Sequence, residues 1–249
     1  MRFKLISCEV LFREMCYLAS RSPYQIDVEF LPKGLHDLGG APMARRIQEV
    51  IDRTDPTLYE VVMLGYALCG NGVVGLEARK IPLVVPRAHD CIALLMGSRR
   101  RYQEYFDANP GVYFRSPGWL ERGENLEQLS LNQSKKMSAA GNTLEELVAK
   151  YGEDNGRFLW EQFTSYQQTY RQITYIETGV ERNGEFLRQA RDEAVNRAWG
   201  FDHVKGDLTL LDRFISGEWD ERDVLKVPAG FRIVSTYDDA ILGVERIES

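Results

Sequence analysis

Residues 60–91 read EVVMLGYALCGNGVVGLEARKIPLVVPRAHDC and contain two short apolar runs. The runs at 60–64 and 83–85 consist mostly of Val and Leu, and this composition predicts buried β-strands. A turn-forming or polar stretch with a cysteine follows each run: CGNG begins at Cys69, and PRAHDC ends at Cys91. The stretch therefore predicts two neighbouring strands of a sheet with reactive side chains beyond their ends.

Outside this stretch, runs that predict strands alternate with patterns that predict helices. Further strands are expected at residues 3–7, 26–31, 111–115, 173–176 and 231–235, and helices at 10–19, 43–51, 92–96, 143–170, 185–199 and 208–215. Strands interleaved with helices predict right-handed crossovers and parallel pairing. We expect an α/β fold: a doubly wound, mostly parallel, Rossmann-like sheet with a second, smaller α/β half.

The pattern also predicts three regions along the chain. Residues 1–120 form an N-terminal α/β half that carries the Cys and His residues, and residues 171–249 form a C-terminal α/β half. Residues 121–170 form a lid or helical connection, because the strand pattern breaks there into polar and Gly-rich sequence. The second half either extends the first sheet or forms a separate lobe.

Composition excludes several classes of protein. The net charge of -6 disfavours a nucleic-acid partner, and a basic run at residues 99–101 is expected to be a solvated helix face. No stretch reaches the roughly 20 apolar residues that span a membrane. The closely spaced charges of MRFKLISCEV are unlike a signal peptide. Four cysteines in a chain of 249 residues fit a reducing, cytoplasmic compartment.

Cysteine and histidine residues follow several predicted strands. Cys8 follows RFKLI, Cys69 follows EVVMLGYAL, and His89 and Cys91 follow IPLVVPR. The carboxyl ends of parallel strands meet at one edge of a sheet, so these side chains are expected to converge. A Cys₃His set suits zinc or iron. His89 and Cys91 share one side only if the next helix begins no earlier than Cys91, because residues two apart diverge on a helix.

Other side chains are candidates for catalysis. His36 is a candidate general base because its ordinary pKa lies near neutrality. Asp90 either orients an imidazole or caps the next helix. A helix N-terminus at Cys91 is expected to lower the pKa of its thiol. Cys16 is expected in the core, and His203 has no companion ligands nearby in the sequence.

Three loop features are candidates for binding a ligand or cofactor. Gly70, Asn71 and Gly72 form a tight turn that can bring backbone N–H groups to an anion. Arg87 can hold a carboxylate or phosphate through its planar fork. Trp119, in SPGW, can form an aromatic wall over the site. Ordinary turn and packing roles remain open for each of them.

Several motifs together resemble an uncharacterised bacterial and archaeal family, domain of unknown function 1638. They are CEV, LPKGLH, GYALCGNGVVGL, PRAHDCIALLMGS and SPGW, followed by YIETG, KGDLTLLDRFISGEWD and VPAGFRIV. The resemblance covers nearly the whole chain. It implies that the characteristic polar positions are Cys8, His36, Cys69, His89, Asp90 and Cys91. It also implies a setting in one-carbon metabolism, with a corrinoid or methyltransferase protein as partner.

Three functions follow as hypotheses, each with a small-molecule substrate or ligand. The first is a metal-dependent enzyme or metal-handling protein, in which Cys8, Cys69, Cys91 and His89 hold zinc or iron, with methyl transfer as one consistent reaction. The second is a metal-free protein that binds a small anion. The third is a thiol-based transferase or redox enzyme with Cys91 as nucleophile and His89 or His36 as base.

Overall fold

The computed structural model describes residues 1–122, 143–164, 170–236 and 238–248. Its strands, in chain order, are β1 (Arg2–Cys8), β2 (Gln25–Leu31), β3 (Val61–Gly65), β4 (Glu77–Ala78), β5 (Leu83–Pro86), β6 (Val112–Arg115), β7 (Gln172–Glu177), β8 (Gly200–Lys205), β9 (Val224–Val227), β10 (Phe231–Ser235) and β11 (Leu242–Arg246). They form three sheets, so the fold is a mixed α/β one.

Helices connect most of these strands. They are α1 (Phe12–Ala19), α2 (Gly40–Arg53), α3 (Cys91–Leu95), α4 (Arg99–Ala108), α5 (Pro117–Glu121), α6 (Leu144–Tyr151), α7 (Glu153–Thr164), α8 (Glu185–Asn196) and α9 (Thr209–Ile215). Short 3₁₀ helices lie at Glu9–Leu11 and Lys33–Leu38. In the part of the chain that the structure describes, no helix has the length and apolar content that crossing a membrane requires.

The central sheet has five strands in the order β2-β1-β3-β5-β9. The first four strands are mutually parallel, and β9 pairs antiparallel with β5. The expected mostly parallel sheet is therefore present. Strand β9 comes from the C-terminal part of the chain; no strand was expected at these residues, and its antiparallel pairing with β5 was not predicted from the sequence.

Both faces of the central sheet are covered by other elements. Successive side chains of a strand point to opposite faces, so each strand contributes to both cores. On one face, Leu5 and Met63 pack with residues of α1, α3 and α9. On the other face, Ile6 and Leu64 pack with α2 and with the antiparallel sheet β11-β10-β4. Layers on both faces explain why the central strands read as continuous apolar runs.

The third sheet is parallel, in the order β6-β7-β8. Its core contains Ile173, Tyr175 and two alanines of α8. Strand β6 lies before residue 120 and pairs with β7, which follows residue 171. The boundaries proposed for the three regions stay a prediction.

Three local expectations differ from the structure. The helix expected at 143–170 is two helices, α6 and α7, because Gly152 adopts a φ of 85° that ends the first one. Much of the expected lid, residues 123–142, lies outside the described residues. Cys16 is exposed on α1, so its expected place in the core is wrong.

A buried carboxyl group joins α1 to the loop after β7. Glu14 has no exposed surface, and its Oε1 accepts a hydrogen bond of 2.7 Å from the Thr178 hydroxyl. Its Oε2 is buried without a partner, and the adjacent Arg13 is engaged by Glu121. Burial raises the pKa of Glu14 to about 7, and nearby Glu181 adds to the rise. The folded state therefore favours the protonated carboxyl group.

This raised pKa predicts a pH-dependent stability. The carboxyl group ionises near its ordinary pKa in the unfolded chain but near 7 in the folded one. Stability should therefore fall as the pH rises from about 5 to 8, by about 3 kcal/mol. Glu14→Gln, which mimics the neutral acid, should flatten this dependence in urea unfolding experiments. Glu218→Gln, at an exposed carboxylate, should leave it unchanged; an equal slope in wild type and Glu14→Gln would contradict this assignment.

Candidate functional site

The candidate site lies where the chain changes direction across the central sheet. From β1 the chain passes to β2 on one side, and from β2 it returns to β3 on the other side of β1. In open α/β sheets, such a change leaves a crevice at the carboxyl ends of the two central strands. Cys8 is the last residue of β1, and Tyr66 directly follows β3.

The ends of β1 and β3 lie unusually close together. Ser7 is opposite Gly65 in the sheet, and its hydroxyl donates a hydrogen bond of 3.1 Å to the Gly65 carbonyl. A Cβ atom on Gly65 would lie only 2.4 Å from Ser7 Oγ. Glycine is therefore required there, and the contact brings the segment after β3 alongside Cys8.

Backbone pairing continues past the strands and aligns two cysteines. The Leu68 N–H donates to Ala88 O and the Cys69 N–H donates to His89 O, each at 2.9 Å. Asp90 caps α3 by accepting from the N–H groups of Ile92 and Ala93. Helix α3 begins at Cys91, which confirms the condition placed on this helix from the sequence.

The turn after β3 has an uncommon backbone conformation. Cys69, Gly70 and Asn71 are successive residues with positive φ values of 45°, 63° and 69°. This region is costly for a residue with a side chain, by about 1–3 kcal/mol. The surrounding contacts hold Cys69 in this conformation, and the turn directs its side chain into the crevice.

We call the small cavity in this crevice the thiol pocket. It has a volume of about 30 Å³, close to the space that one water occupies in the liquid. Cys8, Cys69 and Cys91 all line it, so the three cysteines converge as expected. The other lining residues are Val10, Leu11, Pro32, Lys33, Leu35, His36, Met43, Gly65, Tyr66 and Trp119.

Helix α5 places Trp119 against this pocket. Ser116 caps the helix, and Pro117 occupies its first turn. A Cβ atom on Gly118 would lie 1.7 Å from Val10 O, so only glycine lets α5 approach the Glu9–Leu11 segment this closely. The Lys33 ammonium lies 4.4 Å from the centre of the Trp119 ring. The aromatic wall expected from SPGW is present.

Burial keeps the thiols of Cys69 and Cys91 protonated. It raises the pKa of Cys69 to about 12, and the Cys91 N–H opposes part of this rise. Burial, with the neighbouring Cys69, also raises the pKa of Cys91 well above its usual range. The lowered pKa expected for Cys91 is therefore wrong, because loss of hydration outweighs the helix N-terminus.

Two hydrogen-bond donors of the pocket residues are buried without a partner. The Tyr66 side chain is only 2 % exposed, and its hydroxyl has no hydrogen-bond partner. The Trp119 indole N–H lies near enough to the Cys91 thiol to offset part of the rise in its pKa. It is not hydrogen-bonded to the thiol or to any other described group. Such buried groups cost about 1–3 kcal/mol each unless something satisfies them.

Several predicted residues lie away from the thiol pocket. The His89 side chain is exposed, whereas its carbonyl holds Cys69 in place. Arg87 donates to the backbone carbonyls of Glu221, Ala240 and Leu242, which gives it a structural role. Asp90 accepts from the Tyr102 hydroxyl at 2.9 Å, besides capping α3. Gly70, Asn71 and Gly72 are absent from the pocket lining.

The described residues do not present a ready metal centre. Among them, no group of three or more His, Cys, Asp or Glu side chains is placed to hold a metal ion. His36 lines the thiol pocket with the three cysteines, although its side chain is largely exposed. The predicted zinc or iron set of Cys8, Cys69, His89 and Cys91 therefore stays a prediction, with His89 directed elsewhere.

A second, larger cavity adjoins the first. This outer cleft has a volume of about 900 Å³ and shares Lys33 and Trp119 with the thiol pocket. Its remaining lining residues are Tyr113, Arg115, Leu120, Glu185, Arg188, Gln189, Asp192, Glu193, Asn196 and Arg197. Neither the cleft nor the role of Tyr66 was expected from the sequence. The position of Tyr66 directly after a strand was the one available signal.

Comparison with known proteins adds a family but no activity. The model of a family described as "Protein of unknown function (DUF1638)" matches residues 30–215. No curated protein matches the chain, and no solved structure does.

The burial of the thiols predicts their order of reaction with iodoacetamide at neutral pH. Cys16 is exposed on α1 and should be modified first. Cys69 and Cys91 are partly buried and their thiols are protonated, so they should react more slowly. Peptide mass spectrometry would report the order, and all four cysteines should react after unfolding in urea. Modification of Cys91 ahead of Cys16 would instead indicate an activated nucleophile.

Proposed function

The chain belongs to the DUF1638 family of proteins of unknown function, and we propose that it binds a small anionic molecule without a metal. In this proposal, one hydrogen-bond-accepting end of the ligand enters the thiol pocket and the remainder lies in the outer cleft. The proposal corresponds to the second of the three hypotheses from the sequence. Cys8, Cys69 and Cys91 then form the polarisable wall of a binding site.

The unsatisfied donors of Tyr66 and Trp119 carry this proposal. Both residues line the same small cavity; the Tyr66 hydroxyl has no protein acceptor, and the Trp119 N–H is near only the Cys91 sulfur, a weak acceptor to which it is not hydrogen-bonded. A carbonyl, carboxylate or phosphoryl oxygen would supply the missing acceptor. Binding such an atom recovers the cost of two buried donors, which gives the site a preference for ligands that carry one.

The side of the pocket formed by Lys33 and Trp119 also favours an acceptor over a cation, whereas the Glu9 carboxylate accepts a hydrogen bond from the Lys33 backbone N–H. Lys33 lines the pocket and places its ammonium against the Trp119 ring. An indole N–H and an ammonium attract a negatively charged atom and repel a metal ion. The thiols of Cys69 and Cys91 are protonated, so they add no negative charge to oppose this preference.

A soft metal ion is the second candidate occupant. Its support is the convergence of Cys8, Cys69 and Cys91 from three strand ends on one cavity. Thiols suit zinc and ferrous iron, and binding of either ion would deprotonate them. Holding an ion requires side-chain movement, because the described residues form no ready group of ligands. The methyl-transfer setting, with a corrinoid or methyltransferase partner, belongs with this candidate.

The strand order supports a related proposal about the fold. The parallel strands β2-β1-β3-β5 have helices on both faces and a crevice beside β1 and β3. This arrangement is typical of the Rossmann-like sheets that bind small molecules at such a crevice. We therefore propose that the ligand enters from this edge.

Thermal unfolding with a panel of small carboxylates and phosphate esters tests the proposed function. At least one compound should raise the melting temperature in a saturable way, because it binds only the folded state. Tyr66→Phe removes one donor with little change in shape, and Trp119→Phe removes the other donor together with one ring of the indole. Each should weaken binding of that compound by about tenfold, the effect of one hydrogen bond to a charged group.

Tyr59→Phe is the matched control, because the Tyr59 hydroxyl bonds to Asp27 of β2 and Tyr59 lines neither the thiol pocket nor the outer cleft. It should leave ligand binding unchanged. Zinc provides the opposing arm of the experiment. Stabilisation by one equivalent of zinc that Cys69→Ser abolishes, with no effect of any anion, would overturn the proposal in favour of the metal centre.

A further inference from the structure

Two arginines and one glutamate that line the outer cleft form a group with an excess of positive charge. Arg115 donates two hydrogen bonds to the Glu193 carboxylate, at 2.8 and 2.6 Å. Arg197 donates to the same carboxylate at 2.9 Å. Two guanidinium groups thus share one carboxylate. The Arg115 and Glu193 side chains are only 13 % and 19 % exposed, so solvent compensates the excess positive charge incompletely.

Arg197 has hydrogen-bonding capacity left over. Only its Nε bonds to Glu193, and its guanidinium lies 4.9 Å from the centre of the Trp199 ring. Among the described residues, its two terminal nitrogens have no acceptor. The side chain is 47 % exposed, so these nitrogens are accessible to a ligand in the cleft. A guanidinium edge of this kind matches the paired oxygens of a carboxylate or phosphate.

The positive excess is local to the Arg115–Glu193–Arg197 group. Glu185, Arg188 and Asp192 lie on the same helix, α8, and supply one cation and two acidic residues, so they offset this excess over the cleft as a whole. Lys33 lines the part of the cleft that is shared with the thiol pocket. The preference for an anion therefore rests on the arrangement of the two guanidinium groups around Glu193 and not on the net charge of the cleft.

We propose that the Arg197 end of the outer cleft is a subsite for an acidic group, a carboxylate or a phosphate. The inference rests on the proposed function and narrows its ligand class. The ligand is an elongated small acid, with one acidic group on Arg197 and a second hydrogen-bond acceptor in the thiol pocket. A cleft of about 900 Å³ has room for such a molecule, because typical ligand sites have volumes of about 300–1,000 Å³.

Calorimetric titration with succinate and with inorganic phosphate tests this subsite. Wild-type protein should bind at least one of them saturably, and added salt should weaken the binding. Arg197→Gln should weaken it by about tenfold, because it removes a charge-assisted contact. The anion that binds more tightly identifies whether the acidic group is a carboxylate or a phosphate.

Arg191→Gln is the matched control. Arg191 lies on α8, which ends just before Arg197. It is exposed and sits over the Phe201 ring as Arg197 sits over Trp199, but it does not line the cleft. It should bind both anions as the wild type does. Absence of saturable binding to wild type, or equal weakening by the two substitutions, would overturn the subsite.

Tyr66→Phe separates this inference from the proposed function. Tyr66 lies in the thiol pocket and not in the outer cleft, so Tyr66→Phe should bind inorganic phosphate, which is too small to reach both sites, at Arg197 as tightly as wild type. In one outcome, phosphate binds normally at Arg197 while Tyr66→Phe has no effect on the binding of any longer acid. That result would contradict the proposed role of the thiol pocket and leave the Arg197 subsite standing. Loss of phosphate binding in Tyr66→Phe would overturn the separate subsite.

Discussion

The contact between Ser7 and Gly65 is the constraint on which the candidate site depends. It lets the carboxyl ends of β1 and β3 approach at the point where the central sheet changes direction. Cys8 and Tyr66, the next residues on each strand, consequently line the same cavity. A side chain at position 65 would separate the two strands and open the thiol pocket. A packing requirement in the core of the sheet therefore determines the geometry of the site.

The sequence was most informative about features that depend on residues close together in the chain. Alternating strand and helix patterns predicted the parallel strands, and Asp90 was a candidate cap for the helix that begins at Cys91. The convergence of three cysteines followed from their places after parallel strands. These features depend on chain direction and on residues close in sequence, both of which a pattern of residues reports.

Other features depend on contacts that no local pattern reports. His89 points to solvent because the segment beside Cys69 pairs through its backbone, which fixes the direction of its side chain. The pKa of Cys91 rises because distant residues bury it, against the expectation from its helix position. The outer cleft joins α8 to residues near Lys33, about 150 positions apart in the chain. The antiparallel addition of β9 is a long-range pairing of the same kind.

The two cavities have complementary properties. The thiol pocket is small and offers unsatisfied donors in low-dielectric surroundings, where a hydrogen bond to a ligand is strong. The outer cleft is large and charged, and it admits solvent. Lys33 and Trp119 belong to both, so they are the residues that a bound molecule must pass. This arrangement gives an elongated acid two distinct points of recognition.

Analysis of the contents of anaerobically purified protein tests the central claim most directly. Elemental analysis and mass spectrometry of an acid extract, made on one sample, report metals and small molecules together. The account predicts a small acid released from the wild type, in smaller amount from Tyr66→Phe, and zinc and iron far below one equivalent. About one equivalent of zinc or iron in the wild type, absent from Cys69→Ser, would contradict it.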